Sequence, residues 1–207
     1  DRSDELLAPS DGSGEPARAR TGVRGRTFRV SAGSFWQAHA AAPEALAAAV
    51  LGGLVPRRGD RVLELFAGVG VFSALLAESV GPRGSVRAVE RDPRACADAR
   101  HNVRRLPQVE VVEASVSPEA LGDEPYDLVV LDPPREGAGT DLVAALVTRR
   151  PAPRRIAYVS CDPASFARDL AVALGAGWSL ASLRAFDQFP MTEHVELVAV
   201  LEPGPRT

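Results

Sequence analysis

The sequence predicts an α/β fold, in which a doubly wound and mostly parallel sheet ends in an antiparallel pair of strands at its C-terminal edge. Apolar runs of strand length alternate with segments of helical period, and this alternation implies right-handed crossovers between parallel strands. Two further β-like runs then follow each other without a helix between them, as antiparallel partners do. The predicted parallel strands are 61–66, 86–90, 109–112, 127–131 and 156–160, and the antiparallel pair is 179–186 and 194–201.

The elements before and between these strands follow from spacing. The run TFRV from Thr27 predicts a short strand, and apolar residues at helical spacing predict a helix that ends between Gly52 and Pro56. The crossover helices show the same period. Their apolar positions are Leu46, Val50, Leu51 and Leu54, then Phe72, Leu75, Leu76 and Val80, then Cys96, Ala99, Val103 and Leu106, then Leu142 and Leu146, and finally Phe166, Leu170 and Leu174.

Composition limits the class of protein. The chain has 207 residues, 45% of them hydrophobic, and a formal net charge of −3, which fits one domain with its own core and argues against disorder. Residues 1–26 mix Gly, Ser, Pro and charge without periodicity, so we expect a tail or linker there and a single domain over 27–203. The chain begins with Asp1 rather than Met, which suggests a fragment of a longer protein.

Cellular context follows from what the sequence lacks. It has no apolar run long enough to span a bilayer and no signal-peptide core, so we expect a cytoplasmic monomer without a membrane partner. Two cysteines, Cys96 and Cys161, are too few for a disulfide framework, and the three histidines show no metal-ligand spacing, so no metal site is predicted.

A nucleoside site is predicted where the first of the parallel strands ends. The run LELFAGVG puts Gly68 and Gly70 in a strand-to-helix turn, and Glu90 ends the next strand twenty residues later, the spacing at which an acid reaches ribose hydroxyls. Phe72 and Ser73 stand where a third glycine would accommodate a pyrophosphate, which favours a nucleoside such as S-adenosylmethionine. The alternative is a purely structural turn and a solvated Glu90.

The run LDPPREGAG marks a second part of the same sheet edge. Asp132 directly follows a buried strand, and open α/β sheets bind ligands at that edge. Pro133 and Pro134 cannot continue the strand, so the loop must turn across the edge. Simple punctuation at the strand end is the alternative interpretation.

Cys161 lies between a predicted strand and a helix that begins at Asp162 and Pro163. We expect the helix dipole to lower the pKa of this thiol and to favour a nucleophilic thiolate, whereas a buried structural thiol is the alternative. Cys96 lies on the apolar face of its own helix and is predicted to be a core residue. The last segment offers the candidate bases Asp187, Glu193, His194 and Glu196.

In this order, the motifs SFWQ, LELFAGVG, AVE, LDPPREGAG, YVSCDPASFARDL and DQFPMTEHVE resemble the catalytic domain of the TrmA-like RNA uracil-5-methyltransferases, from about Thr27 to Leu201. The resemblance implies a Rossmann-like class I S-adenosylmethionine-dependent methyltransferase fold over 27–203. It also implies formation of 5-methyluridine in tRNA or rRNA. The target uridine would leave its stack to reach the site.

The resemblance also implies site residues. Cys161 matches the nucleophile that adds to C6 of uracil, and Glu196 matches the base that removes the C5 proton. The matching contacts to S-adenosylmethionine are Gln37, Phe66, Glu90 and Asp132, and the glycine turn adds Gly68 and Gly70 to the predicted cofactor-binding residues.

The chain departs from the family pattern in several places. Glu64 stands where the family usually has Asp, and Val71 replaces a residue that is often polar. Two cysteines cannot hold the iron–sulfur cluster of some members, and we expect the N-terminal RNA-binding barrel of many members to be missing from this chain.

Two other functions stay open at this point. One is an amino-group methyltransferase acting on adenine or guanine through the Asp-Pro-Pro turn, and the other is an inactive module that binds S-adenosylmethionine or RNA. RNA contact would fall to one of two arginine clusters, since neutralised phosphates give salt-dependent affinity, although each cluster also fits a solvated surface. The first comprises Arg18, Arg20, Arg24, Arg26 and Arg29, and the second Arg149, Arg150, Arg154 and Arg155.

Overall fold

The computed structural model describes residues 17–37, 39–188 and 195–204. Within these ranges a seven-stranded sheet has the order β5-β4-β3-β6-β7-β9-β8. Its strands are β3 (Arg61–Leu65), β4 (Ser85–Glu90), β5 (Val109–Glu113), β6 (Leu128–Leu131), β7 (Arg155–Ser160), β8 (Trp178–Phe186) and β9 (Glu196–Pro203). The helices are α1 (Ala42–Leu54), α2 (Val71–Val80), α3 (Pro93–Asn102), α4 (Thr140–Val147) and α5 (Pro163–Gly175).

The predicted sheet is confirmed in its strands and directions. β3 to β7 are parallel, and β9 pairs antiparallel with both β7 and β8. The final pair therefore does extend the sheet edge, but β9 lies between β7 and β8, so the last strand of the chain is an inner one. The first residues of β9 consequently lie at the edge where the parallel strands end.

A two-stranded hairpin precedes the sheet and corrects one expectation. β1 (Arg18–Val23) pairs antiparallel with β2 (Arg26–Ser31), so part of the segment assigned to a tail is folded. Arg24 and Gly25 both have positive φ, as a two-residue hairpin turn requires. Val23 and Phe28 are buried in the main core, which explains why the hairpin is ordered. Residues 1–16 lie outside the described residues.

Two apolar layers cover the two faces of the sheet. One contains the buried sides of α1 and α2 together with Val23 and Phe28 of the hairpin, and the other contains the buried sides of α4 and α5. Successive strand residues alternate between the layers, as Leu128 and Val129 do. None of the described helices combines the length and apolar character needed to cross a membrane.

Candidate active site

A cavity of about 690 Å³ opens at the carboxyl ends of the parallel strands. Open α/β sheets bind their ligands at this edge. The residues that the sequence predicts for the site come together there, although they are far apart in the chain. The cavity lining includes Gln37, Phe66, Gly68, Glu90, Asp132, Cys161 and Glu196.

The turn after β3 is built from strained backbone. Phe66 has φ 61°, a value that non-glycine residues rarely adopt, and Gly68 has φ 53°. Such strain persists only where surrounding structure holds it, and it concentrates at ligand sites. Gly70 was predicted to contact S-adenosylmethionine, but it is not among the described residues that line the cavity. A Cβ on Gly70 would stand 3.2 Å from that of Ala99, so here glycine lets α2 and α3 approach each other.

Glu90, at the end of β4, is held by three backbone amides. Its Oε2 accepts a hydrogen bond from Gly68 N, and its Oε1 accepts from Arg91 N and Asp92 N, all at 2.8 Å. These bonds fix the carboxylate beside the glycine turn while it still lines the cavity. A carboxylate oxygen has capacity for further donors, so Glu90 is able to accept ribose hydroxyls as predicted.

Glu64 is the fourth of the five residues of β3. Its side chain is buried, and it is not among the described residues that line the cavity. Ser73, in the first turn of α2, donates a hydrogen bond to Glu64 Oε2, and Oε1 has no partner within the described parts of the chain. Burial raises the pKa of Glu64 to about 8, and the nearby carboxyl groups of Asp132 and Glu90 add to the shift.

Asp132 follows β6 directly and lines the cavity between the donor turn and Cys161. Burial raises its pKa to about 7, and the negative charge of Glu196 acts in the same direction.

The loop after Asp132 is fixed by a group that sequence reasoning missed. Asp169 of α5 is fully buried, and its Oδ2 accepts hydrogen bonds from Ala138 N at 2.8 Å and Gly139 N at 3.1 Å. The hydroxyl group of Tyr158 donates a hydrogen bond to the same oxygen and accepts one from Ala138 N. An acid three residues after Phe166, on the buried face of α5, is the sequence signal that would have revealed this contact.

Cys161 and Glu196 are brought together by strand pairing. Ser160 is the register partner of Leu197 in the antiparallel β7–β9 ladder. Ser160 and Leu197 form the last pair of this ladder, and Cys161 and Glu196 are the residues that directly adjoin it, one residue after Ser160 and one residue before Leu197. Both residues line the cavity; Cys161 is half-buried and Glu196 is 4% exposed. The other candidate bases Glu193 and His194 lie outside the described residues, and Asp187 is exposed.

The electrostatics of Cys161 correct the expectation of a lowered pKa. Burial raises the pKa of the thiol, and the negative charges of Glu196 and Asp132 raise it further. The predicted cap is confirmed, because Asp162 accepts a hydrogen bond from Ser165 N. That cap places another acid at the helix N-terminus, where the dipole was expected to favour the thiolate.

Arg135 is a cation of the site that was not singled out from the sequence. It is exposed, follows the two prolines of the loop, and lines the cavity. Its charge lowers the pKa values of Cys161 and Glu196 against the raising effect of burial.

Cys96 is confirmed as a core residue. Its side chain is fully buried, and its Sγ donates a hydrogen bond to the carbonyl oxygen of Glu90 at 3.3 Å. Burial raises the pKa of this thiol to about 11. The two cysteines therefore differ in access to the cavity and in reactivity.

Comparisons with known proteins match two family models. The model described as methyltransferase small domain matches residues 35–153, and the model described as tRNA (Uracil-5-)-methyltransferase matches residues 116–203. The second match contains Asp132, Cys161 and Glu196, and the first contains the glycine turn and Glu90.

Related proteins and structures agree with these matches. An uncharacterized RNA methyltransferase of Streptomyces avermitilis is 47% identical over 91% of this chain and 43% of its own length. The 23S rRNA (uracil(1939)-C(5))-methyltransferase RlmD of a Shewanella species is 38% identical over 82% of this chain and 38% of its own. The chain thus spans less than half the length of these relatives.

The solved structure of Pyrococcus abyssi tRNA (uracil-54, C5)-methyltransferase in complex with S-adenosyl-L-homocysteine superposes with a TM-score of 0.73. The two sequences are 30% identical, and the superposition covers 89% of this chain and 44% of the Pyrococcus abyssi chain. This likeness confirms the predicted class I methyltransferase fold. The chain belongs to the methyltransferase small domain family, and its C-terminal part identifies it as a member of the TrmA-like RNA uracil-5-methyltransferases.

Proposed function

We propose that this chain is the catalytic part of an RNA uracil-C5-methyltransferase that forms 5-methyluridine through a covalent adduct between Cys161 and C6 of uracil. One observation carries the proposal. Cys161 and the buried carboxyl of Glu196 adjoin the last pair of the β7–β9 ladder, and both line the cavity that also contains Glu90 and Asp132. Relatives that are named for uracil-C5 methylation of tRNA and of 23S rRNA support RNA as the substrate class.

The donor end of the cavity fits S-adenosylmethionine. The carboxylate of Glu90 is oriented by three amides and, with about four lone-pair sites in all, retains capacity to accept from a ribose hydroxyl. Phe66 and Trp36 offer apolar surface beside it, and both line the cavity. When bound there, S-adenosylmethionine supplies an electrophilic methyl group. We assign Gln37, Phe66, Gly68, Glu90 and Asp132 to this end, and Gly70 to its support.

The acceptor end begins with Cys161. Uracil C5 is a poor nucleophile, so the thiolate first adds to C6, and the electron pair of the C5–C6 double bond moves onto C5 and the C4 carbonyl oxygen. This step needs a deprotonated thiol, which Arg135 favours and the neighbouring carboxyl groups oppose. C5 is then nucleophilic enough to form a bond to the methyl carbon while the bond between that carbon and the sulfonium sulfur breaks, so that S-adenosylhomocysteine would be the leaving group.

Glu196 completes the reaction by removing a proton. After methylation C5 carries both hydrogen and methyl, and Glu196 takes the hydrogen as a proton. The electron pair left behind re-forms the C5–C6 double bond and expels the Cys161 thiolate. Burial raises the pKa of Glu196, which makes it a stronger base for this step than an exposed carboxylate.

The test uses RNA that contains 5-fluorouridine and S-adenosylmethionine with a labelled methyl group. Fluorine at C5 cannot leave as a proton, so wild-type chain should accumulate a labelled covalent complex with RNA that survives denaturing electrophoresis. Cys161→Ala should form none, and the matched control Cys96→Ala should form it normally. An adduct that persists in Cys161→Ala would refute the assigned nucleophile, and methyl transfer by that variant would instead favour the amino-group reaction.

Glu196→Gln separates addition from release. On ordinary uridine RNA this variant should form the adduct, transfer the methyl group and then stall, so that methylated RNA stays attached to protein. Mass spectrometry of the denatured complex would detect it. Normal turnover by Glu196→Gln would remove Glu196 from the role of base.

A further inference from the structure

Four arginines form a positively charged strip on the outer side of α3 and of the hairpin that packs against it. Arg94 lies in the first turn of α3, Arg104 and Arg105 follow its last turn, and Arg20 lies on β1. All four are exposed, and none forms an ion pair within residues 17–37, 39–188 and 195–204. We refer to these four residues as the arginine strip.

Strand pairing directs Arg20 toward α3. Arg20 and Arg29 are direct partners in the β1–β2 ladder, so their side chains project from the same side of the hairpin. Arg29 reaches α3, where its Nε donates to Asp98 at 2.7 Å and its guanidinium donates to the carbonyl of Ala97 at 3.0 Å. Arg20 therefore adds its charge beside the outer face of α3.

One end of the arginine strip lies at the mouth of the active-site cavity. The guanidinium of Arg94 is 2.9 Å from the position that a Cβ on Gly33 would occupy, and Gly33 lines the cavity. From there α3 runs for 10 residues, or about 15 Å at 1.5 Å per residue. A chain of phosphates leaving the cavity along α3 would pass the whole strip.

The other end of the arginine strip borders a polar recess of about 270 Å³, lined by Arg26, Thr27, Asn102, Arg104 and Arg105. Arg26 is engaged by Glu78, and Arg104 donates to the carbonyl of His101 at 2.7 Å. These contacts hold two guanidinium groups at the recess while leaving donors available. Guanidinium groups match phosphate oxygens in geometry as well as in charge.

The acids beside the arginine strip do not cancel its charge. Asp98 pairs with Arg29, Glu113 pairs with Arg100 at 3.4 Å, and Glu78 pairs with Arg26. Burial lowers the pKa of His101, and the positive charges of Arg29, Arg104 and Arg18 lower it further against Asp98. These three acids are therefore engaged by arginines outside the arginine strip.

Arginines of the second cluster form hydrogen bonds and an ion pair within the fold. Arg149 donates to the carbonyls of Gly122 and Glu124, and Arg154 pairs with Asp60. Arg155 opens β7, so it lies at the amino end of the parallel strands, whereas Cys161 follows the carboxyl end. In contrast, the surface formed by the hairpin and α3 reaches the cavity through Arg94, which approaches the lining residue Gly33.

We propose that the arginine strip binds the phosphate backbone of RNA adjacent to the nucleotide that enters the cavity. The inference rests on the proposed function in that the ligand is RNA, and it assigns a surface outside the catalytic residues. The bound RNA is held by charge and guanidinium hydrogen bonds rather than by base reading, so this surface contributes affinity without sequence preference.

The experiment measures the affinity of the full chain for a fluorescein-labelled, uridine-containing RNA stem-loop by anisotropy over a range of salt concentrations. Arg104→Gln/Arg105→Gln and, separately, Arg20→Gln should weaken binding, the double variant by roughly tenfold at low salt. The slope of log affinity against log salt should fall by about 0.7 for each phosphate of single-stranded RNA that the variant no longer neutralises.

A matched control removes two charges elsewhere. Arg61→Gln/Arg150→Gln changes exposed arginines at the amino side of the sheet and should leave affinity and slope unchanged. Binding of S-adenosylmethionine should be equal in all variants, which separates weaker RNA binding from misfolding. Equal weakening in the control and the strip variants, or unchanged binding in the strip variants, would overturn the inference.

The proposed function is judged separately by the wild-type adduct with 5-fluorouridine RNA. If that adduct forms and the arginine-strip variants bind RNA as wild type does, the catalytic proposal stands and the strip is refuted. If the wild-type chain binds no RNA in the anisotropy measurement, that result alone refutes the proposed role of the arginine strip.

Discussion

Tyr158 Oη donates a hydrogen bond to Asp169 Oδ2 at 2.7 Å, and both side chains are buried. The pair joins β7, which ends just before Cys161, to the helix that begins just after it. Because the same carboxylate accepts from Ala138 N and Gly139 N, it also holds the loop that carries Asp132 and Arg135. Asp169 thus connects the strand that ends just before Cys161 to the loop that follows Asp132.

Asp169→Asn should therefore lower kcat by roughly ten- to a hundredfold, because an amide NH₂ would face backbone donors and release the loop. Asp169 acts as a positioning residue, so affinity for S-adenosylmethionine should change much less than kcat. Steady-state methyl transfer at saturating RNA would measure this split. Asp141→Asn, an exposed acid on α4, is the control. A variant with a lower Tm and unchanged kcat would show that the contact is structural only.

The reactivity of Cys161 should respond in opposite directions to its two charged neighbours. Glu196→Gln removes a negative charge and should shift the pH profile of alkylation by iodoacetamide to lower pH. Arg135→Gln removes a positive charge and should shift it to higher pH. Rates measured in a Cys96→Ala background would report Cys161 alone. Coincident profiles for all three proteins would show that neither charge acts on the thiol.

Glu90→Gln should weaken S-adenosylmethionine binding by about tenfold to a hundredfold in calorimetry. The variant loses one acceptor oxygen and directs an NH₂ group toward backbone amides that now bind a carboxylate. Glu113→Gln is a matched control, because Glu113 is the register partner of Glu90 at the end of β5 and is exposed. Equal affinities in wild type and Glu90→Gln would exclude Glu90 as the ribose acceptor.

Glu64 should make the chain less stable as pH rises. Its pKa is about 8 in the fold and near 4.5 in an unfolded chain, so the folded state binds the additional proton between these values. The contribution of this group to the free energy of unfolding is therefore fully present below pH 4.5, and it is lost as the pH rises through about 8.

Glu64→Gln removes that titration, keeps a partner for Ser73, and should raise the free energy of unfolding above pH 8 by a few kcal/mol relative to wild type. Urea denaturation at acidic and alkaline pH measures the difference. Glu124→Gln, at an exposed carboxyl, should leave the pH dependence of stability as it is in wild type. A slope that survives in Glu64→Gln would assign it to another group, such as Asp132.

The parallel sheet was predictable because its strands are buried on both faces and appear in the sequence as continuous apolar runs, such as LVVL at Leu128–Leu131. β1 was not, since its outward residues are Arg18, Arg20 and Gly22, and only Val23 is buried. Its order comes from pairing with β2, which in turn contacts α3 through Arg29, and these are tertiary effects.

The candidate site was largely predictable in membership but not in electrostatics. Spacing and resemblance pointed to Cys161, Glu196, Glu90 and Asp132, and the fold brings all four to one cavity. The expected lowering of the Cys161 pKa was wrong because a dipole argument from one helix omits burial and the carboxyl groups that other strands deliver. Contacts such as that of Asp169 with the loop depend on three-dimensional packing.

The pairing of β9 with β7 sets the register at which Glu196 enters the sheet, because the last pair of the ladder is Ser160 with Leu197. A ladder of backbone hydrogen bonds can shift only by whole residues, and a shift of one residue would turn Glu196 to the opposite face of the sheet. A register error in β9 would therefore replace the carboxyl group at the cavity with the apolar side chain of Val195 or Leu197, with no intermediate register between the two arrangements.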